Sequence, residues 1–131
     1  MKHVLLILCA CCAAGILGCK DSDSTTTVPD TGIYTVVYSV TGNAQLSRIR
    51  YLGENKDTVS VAVTTAPWTY TWTRKGAKNE RVFVEATLPA TTRSTDSLVL
   101  SAKANTTTVF NQVVYPVSLG EVTQGVGGTL P

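Results

Sequence analysis

From Ile33 onward the chain is dominated by Thr and Val, and apolar residues alternate with polar ones over short stretches. Side chains branched at Cβ fit the pleated surface of a strand better than they fit a helix. Alternation with a period of two places one face of each strand in a core and the other face in solvent. Because no stretch after Cys19 shows a helical period, the pattern predicts an all-β domain.

The alternating stretches are short, and turn signals separate them about every eight to twelve residues. The connections are too short to hold a crossover helix, so the strands should pair antiparallel. These features predict an immunoglobulin-like antiparallel β-sandwich of about seven strands. The strands are expected at residues 34–40, 44–52, 59–64, 68–73, 82–88, 98–102 and 109–117.

Two local features refine this prediction. Gly42 and Asn43 both tolerate positive φ, so they predict a two-residue hairpin turn between the first and second strands. The apolar residues of the second strand change phase part way along it. That change predicts a β-bulge near Ser47 or Arg48.

The amino terminus has a different composition from the rest of the chain. Lys2 and His3 precede an apolar run that ends in the letters ILGC at residues 16–19. This run is too short to cross a bilayer, which takes roughly 20 apolar residues. The four letters resemble the lipobox of a bacterial lipoprotein. The resemblance implies cleavage between Gly18 and Cys19 and a diacylglycerol on the Cys19 thiol.

The alternative is an ordinary secretory signal that is cleaved near Ala13 or Ala14 and leaves Cys19 unmodified. In the lipobox interpretation, two acyl chains on Cys19 give stable attachment to a membrane. The expected location is then the bacterial cell envelope, at the outer membrane, on its periplasmic or surface side. Asp21 and Asp23 weakly resemble an acidic export signal of surface lipoproteins, or they are simply soluble linker residues.

The predicted organisation has four parts. Residues 1–18 form the lipoprotein signal peptide, and residues 19–32 form the lipidated cysteine and a polar tether rich in Ser and Thr. Residues 33–119 form the sandwich domain. Residues 120–131 are rich in Gly and are expected to be a flexible tail.

The cysteines and charges exclude several classes of function. Cys9, Cys11, Cys12 and Cys19 are the four cysteines, so the body of the domain can hold neither a disulfide nor a thiolate metal site. No cofactor or metal is expected. Eleven Lys and Arg, of which Lys2 lies in the signal, nearly balance nine Asp and Glu. Such balance provides no basic stripe for nucleic acid.

A short pattern resembles the extracytoplasmic domain of the MmpS family. It consists of YSVTG at residues 38–42, Ala44, Tyr51, and the pair Pro67 and Trp68, within residues 33–110. The resemblance implies an immunoglobulin-like sandwich that serves as a small accessory subunit of resistance-nodulation-division exporters, which move lipids and siderophores. The chain departs from MmpS proteins in two respects. It has a lipobox in place of an uncleaved transmembrane helix, and it lacks their late cysteine pair.

The body of the domain lacks the commonest catalytic parts. The single histidine, His3, is removed with the signal, so no Ser-His-Asp, Cys-His or histidine-based metal arrangement can form. Carboxylates remain as candidates for acid–base chemistry, but they are expected to be solvated loop residues. The protein is therefore predicted not to be an enzyme. The carboxylates considered are Glu54, Asp57, Glu80, Glu85 and Asp96.

Trp68, Tyr70 and Trp72 alternate with threonines and form a candidate ligand-binding strip. An exposed row of aromatic rings can stack on sugars, whereas the same row facing inward supplies core area.

Two groups of basic residues could bind acidic partners or lipid headgroups, or could be scattered charges that keep the domain soluble. They comprise Arg48, Arg50, Arg74, Lys75, Lys78 and Arg81.

These observations favour a non-catalytic, lipid-anchored interaction or accessory module at a bacterial envelope. It would contact the membrane through Cys19 and would bind an envelope complex. An export complex is one candidate for this partner. The alternative is a carbohydrate-binding module that uses the aromatic strip.

Overall fold

The structure is a computed structural model that describes residues 31–116 and 120–131, and the structural statements below refer to these residues. Gly18, Cys19 and residues 20–30 of the predicted tether lie outside them, whereas Thr31 and Gly32, also assigned to the tether, begin the first strand. The described residues contain no helix long and apolar enough to cross a membrane.

The alternating stretches form eight strands, and most of them show the predicted period of two in their burial. β1 shows this most clearly, because Tyr34, Val36, Tyr38 and Val40 are buried while the residues between them are not. The strands are β1 Thr31–Gly42, β2 Arg48–Leu52, β3 Thr58–Ala62, β4 Trp68–Ala77, β5 Arg81–Leu88, β6 Leu98–Ala104, β7 Thr107–Val114 and β8 Val122–Thr129.

The strands form two antiparallel sheets of four strands each, and no helix is present among the described residues. One sheet has the order β4-β1-β6-β7 and the other β3-β2-β5-β8. Two antiparallel sheets around one core form a β-sandwich, so the predicted all-β sandwich is confirmed, with eight strands in place of about seven.

The eighth strand corrects the prediction of a flexible tail at residues 120–131. Residues 122–129 pair with β5 in a continuous register, and Leu130 behind them is 1% exposed. Glycine weakens a strand because it has no side chain to pack. Here the cross-strand neighbours cover the glycines, since a Cβ on Gly125 would lie 2.7 Å from Glu85 Cγ and one on Gly127 would lie 3.5 Å from Phe83 Cβ.

The predicted hairpin at Gly42 and Asn43 is wrong, because β1 and β2 belong to different sheets. The chain crosses from one sheet to the other through residues 43–47, in which Ala44 and Leu46 are buried. The change of phase that predicted a bulge therefore marks a packed connection that precedes the strand. A register shift does occur in the fold, but it lies between β6 and β7.

β4 is longer than the predicted 68–73, because residues 74–77 continue the strand. Arg74 and Gly76 fall on the inward face, and Lys75 points outward opposite Ile33. A Cβ on Gly76 would lie 2.8 Å from Leu130 Cδ1 and 3.1 Å from Tyr34 Cδ2, so a side chain here would displace two buried residues. Lys75 fits the strand because it faces solvent, and Arg74 fits because Glu80 neutralises its charge.

The core lies between the sheets and draws large side chains from both. Its fully buried members include Tyr38 and Leu100 from one sheet and Ile49 and Leu88 from the other. At about 25 cal/mol per Å² of apolar surface removed from water, this burial is the main stabilising contribution to the fold.

The two ends of the sandwich have different contents. The end where β1 begins, which we call the tether end, carries the turns at residues 53–57 and 78–80. The opposite end, which we call the loop end, carries the connections at residues 43–47 and 89–97. Twelve residues of β1 separate the two ends by about 40 Å.

Gly42 is required where β1 leaves its sheet. Its φ of 136° is one that side chains rarely adopt, and a Cβ there would collide with the carbonyl oxygen of Ser97. We expect Gly42→Ala to lower the free energy of unfolding by about 2 kcal/mol, measured by urea denaturation. Gly120 has a φ of 154° but nothing near its missing Cβ. Gly120→Ala should therefore cost less, and an equal loss would contradict the role of the collision.

Candidate functional site

The aromatic strip of β4 lies on the inward face of its sheet, so the threonines between its members face solvent. Trp72 is 3% exposed and belongs to the core, whereas Trp68 and Tyr70 are half-buried. The strip is thus divided between the interior and the lateral edge of the sandwich. The alternation predicted the shared face, but not this division.

Tyr51 of β2 holds the strip from the opposite sheet. Its ring centroid lies 4.5 Å from that of Tyr70 and 5.2 Å from that of Trp68. Tyr38 of β1 lies behind it at 5.8 Å. Trp68 and Tyr70 are nearly parallel, at 12° and 6.4 Å between centroids. These separations are typical of favourable aromatic pairs, which add about 1 kcal/mol each beyond area burial.

A polar cluster lies behind Trp72, towards the tether end. The indole Nε1 of Trp72 donates to the carbonyl oxygen of Leu52 at 3.2 Å, which joins the two sheets. The Arg74 guanidinium lies 4.6 Å from the Trp72 ring centre and forms a bidentate ion pair with Glu80. Lys56 Nζ approaches the same carboxylate at 3.4 Å.

The ion pair is largely shielded from water, since the side chains of Arg74 and Glu80 are 10% and 14% exposed. Hydrogen bonding from Arg74 lowers the pKa of Glu80 to about 2, helped by the backbone N–H of Ala77 and by the charge of Lys56, and opposed by burial. Glu80 therefore stays ionised throughout the physiological pH range and acts as a structural anion.

Burial raises the pKa of Tyr38 to about 12. The Trp72 indole and the Phe83 backbone N–H lie near its hydroxyl and oppose this rise in pKa. The hydroxyl is buried, and no group among the described residues meets it with the geometry of a full hydrogen bond. An unpaired buried hydroxyl costs about 1–3 kcal/mol. We therefore expect Tyr38→Phe to raise the free energy of unfolding by about 1 kcal/mol, measured by urea denaturation. A loss of similar size would instead show that the hydroxyl holds a buried partner such as water.

A polar pocket of about 320 Å³ lies at the loop end. We call it the loop-end pocket, and it is lined by Asn43, Gln45, Thr91, Arg93 and Asp96.

Hydrogen bonds between two connections build this pocket. The Asn43 side chain accepts from the backbone N–H of Ser97 at 2.9 Å, and Thr91 donates to Gln45 at 3.3 Å. Asp96 accepts from the backbone N–H of Arg93 at 3.0 Å. The pocket therefore presents a guanidinium, a carboxylate, amides and a hydroxyl on a scaffold fixed by β1 and β6.

Sequence reasoning identified Asp96 only as a loop carboxylate and did not predict the pocket. Residues 89–97 are visibly polar, but their contact with residues 43–45 depends on the pairing of Gly42 with Leu98 across 56 positions of sequence. Two residues this far apart in the sequence show no local pattern that would predict their pairing.

The other charged candidates are distributed over the domain. Arg50 pairs with Glu85 on an outer face at 3.0 Å, and Arg74 pairs with Glu80, so the predicted basic groups are partly neutralised. Among residues 31–116 and 120–131, no three His, Cys, Asp or Glu side chains are close enough to hold a metal ion. Glu54 and Asp57 lie exposed around the turn that carries Lys56.

The chain matches no protein-family model, and no curated protein matches it significantly.

Proposed function

We propose that this protein is a non-catalytic, lipid-anchored β-sandwich at a bacterial envelope that binds an envelope partner through its loop end. The observation that carries the proposal is the position of the loop-end pocket. It lies one β1 length from Thr31, where the chain from Cys19 enters the fold.

The chemistry of the loop-end pocket supports a polar partner. Arg93 is exposed at its rim, and Asp96 lies beside the amides of Asn43 and Gln45. A cation, a carboxylate and amides on a fixed frame match the polar groups of a protein surface, and fixed loops on a sandwich are a common place for recognition. An accessory role beside an envelope exporter is the form of this proposal that the MmpS resemblance favours.

The anchor is tested first, in the full chain expressed in a bacterial host. The wild type should carry acyl chains by intact mass and sediment with membranes. Cys19→Ser should remain unacylated and leave the membrane fraction, because one residue carries both acyl chains. An unacylated wild-type protein would overturn the anchoring.

The partner is tested with a photocrosslinking amino acid placed singly at Arg93 or, as the control, at Lys78 of the tether end. Both residues are exposed. A discrete crosslinked protein is expected from position 93 and not from position 78, and Asp96→Lys should remove it. Equal crosslinking from both positions, or none from position 93, would contradict recognition at the loop end.

A second candidate, glycan binding, is favoured by the half-buried and nearly parallel rings of Trp68 and Tyr70 at the lateral edge. Titration of the protein with a glycan panel should then quench tryptophan fluorescence, and Trp68→Phe should remove the response while Trp72→Phe retains it. No response from the wild type would reject this candidate.

A further inference from the structure

The four edge strands of the sandwich are β4, β7, β3 and β8, and they differ in how they are protected against pairing with another chain. Natural edge strands avoid pairing with another chain because they carry charged residues, proline or β-bulges, or because they are short. β4 carries Arg74 and Lys75, β7 contains the register shift, and β3 has five residues. β8 has none of these features, since its eight residues VTQGVGGT include no charge and no proline and keep a continuous register with β5.

From this contrast we propose that β8 pairs with β8 of a second copy of this chain, antiparallel, and joins the two four-stranded sheets into one of eight strands. Among the described strands, β8 pairs with β5 alone, and β7 of the other sheet packs against its inward face at Gly128, where Val109 Cγ1 lies 2.6 Å from the position of an absent Cβ. The outward positions Gly125 and Gly127 carry no side chains, so they would not crowd the outward side chains of a strand paired with β8.

Charges beside β8 select the partner and the register. The Glu85 side chain leans over Gly125, with its Cγ 2.7 Å from the position of an absent Cβ. Arg81 leans over Gly127, with Nε 3.8 Å from the corresponding position, and its guanidinium lies 5.9 Å from the Phe83 ring centre. One oxygen of Glu85 pairs with Arg50, and the other lies 3.5 Å from the position of the absent Cβ of Gly125, so one anion and one cation border the edge at adjacent outward positions.

When β8 pairs antiparallel with β8 of a second copy, two registers match the core-facing side chains of one strand with those of the other over most of its length. In one, Gly125 faces the partner's Gly125, which places Glu85 against the partner's Glu85. In the other, Gly125 faces the partner's Gly127, which places Glu85 beside the partner's Arg81, and this happens twice by symmetry. The second register is complementary in charge, and in it Val126 faces the partner's Val126.

This register is testable because the domain body has no cysteine. In the full-length protein in its membrane, Val126→Cys should yield a covalent dimer with a short bis-maleimide, while Gln112→Cys on β7 should not. Val126 is half-buried, and its substitution could disturb the fold, so a second pair of cysteine substitutions at exposed positions tests the same register. Exposed Thr123→Cys and Thr129→Cys, co-expressed, should crosslink to each other because the register places them opposite.

The charges are tested on the Val126→Cys background. Arg81→Glu should reduce the covalent dimer about tenfold, since it turns two attractions into repulsions. Glu85→Arg added to it should restore much of the dimer. An absence of dimer from both cysteine designs, a crosslink to a different protein in place of the second copy, or insensitivity to both charge changes would overturn the proposal.

Discussion

Replacing Glu80 with alanine is expected to lower the free energy of unfolding by about 3 kcal/mol at pH 7. The substitution removes the carboxylate from Arg74, whose side chain is 10% exposed in the intact pair and whose guanidinium lies beside the Trp72 ring. Loss of one partner from a shielded ion pair is costly because the remaining charge stays out of water. Urea denaturation of both proteins measures the difference.

Glu85→Ala is the matched control, measured at a protein concentration low enough to keep the chain monomeric because Glu85 also borders the proposed β8 contact. Glu85 also pairs with an arginine, but the side chains of Arg50 and Glu85 are 43% and 31% exposed. Exposed pairs contribute about 0–1 kcal/mol, so this loss should be small. An equal decrease in the free energy of unfolding of the two variants would show that shielding from water does not strengthen the Arg74–Glu80 pair.

The same pair predicts an acid dependence. The pKa of Glu80 is about 2 in the folded protein and 4.5 for a free side chain, so the folded state holds the proton less tightly. Its stabilisation is complete above about pH 4.5 and is lost as the pH falls towards 2, a difference of about 3 kcal/mol. Stability curves of the wild type and Glu80→Ala should therefore converge over this range. Parallel curves down to pH 2 would refute the depressed pKa.

Replacing Trp72 with alanine is expected to cost about 4 kcal/mol, because it opens a cavity in the core and removes the hydrogen bond to Leu52. The effect should exceed that of Trp68→Ala, at about 1 kcal/mol, because Trp68 is only half-buried at the lateral edge. Thermal and urea unfolding of both variants provide the comparison. Similar losses would mean that the two indoles share one environment.

The fold class could be predicted because burial with a period of two is a local property of the sequence. Val82, Val84 and Ala86 illustrate this, since their alternation fixes which face of β5 is inward without knowledge of its neighbours. The partners of each strand could not be predicted in the same way. Gly42 and Asn43 satisfy the requirements of a hairpin, yet β1 pairs with β4 and β6, and this choice depends on contacts far along the chain.

The same limit applies to the candidate sites. The shared face of Trp68, Tyr70 and Trp72 follows from their spacing, but their exposure depends on Tyr51, which reaches them from the other sheet. β8 was missed because Gly125 and Gly127 oppose strand formation locally, and the side chains that cover them belong to β5.

The position of β1 has a mechanical consequence. β1 receives the chain from Cys19 and is hydrogen-bonded on both sides, to β4 from Thr31 to Val40 and to β6 from Val36 to Gly42. Backbone bonds between antiparallel strands run perpendicular to them, so tension applied along β1 loads both ladders in shear and no single bond takes the force. A pull on the amino-terminal end of the domain, such as the proposed anchor at Cys19 would transmit, therefore meets a strand that is held on both sides.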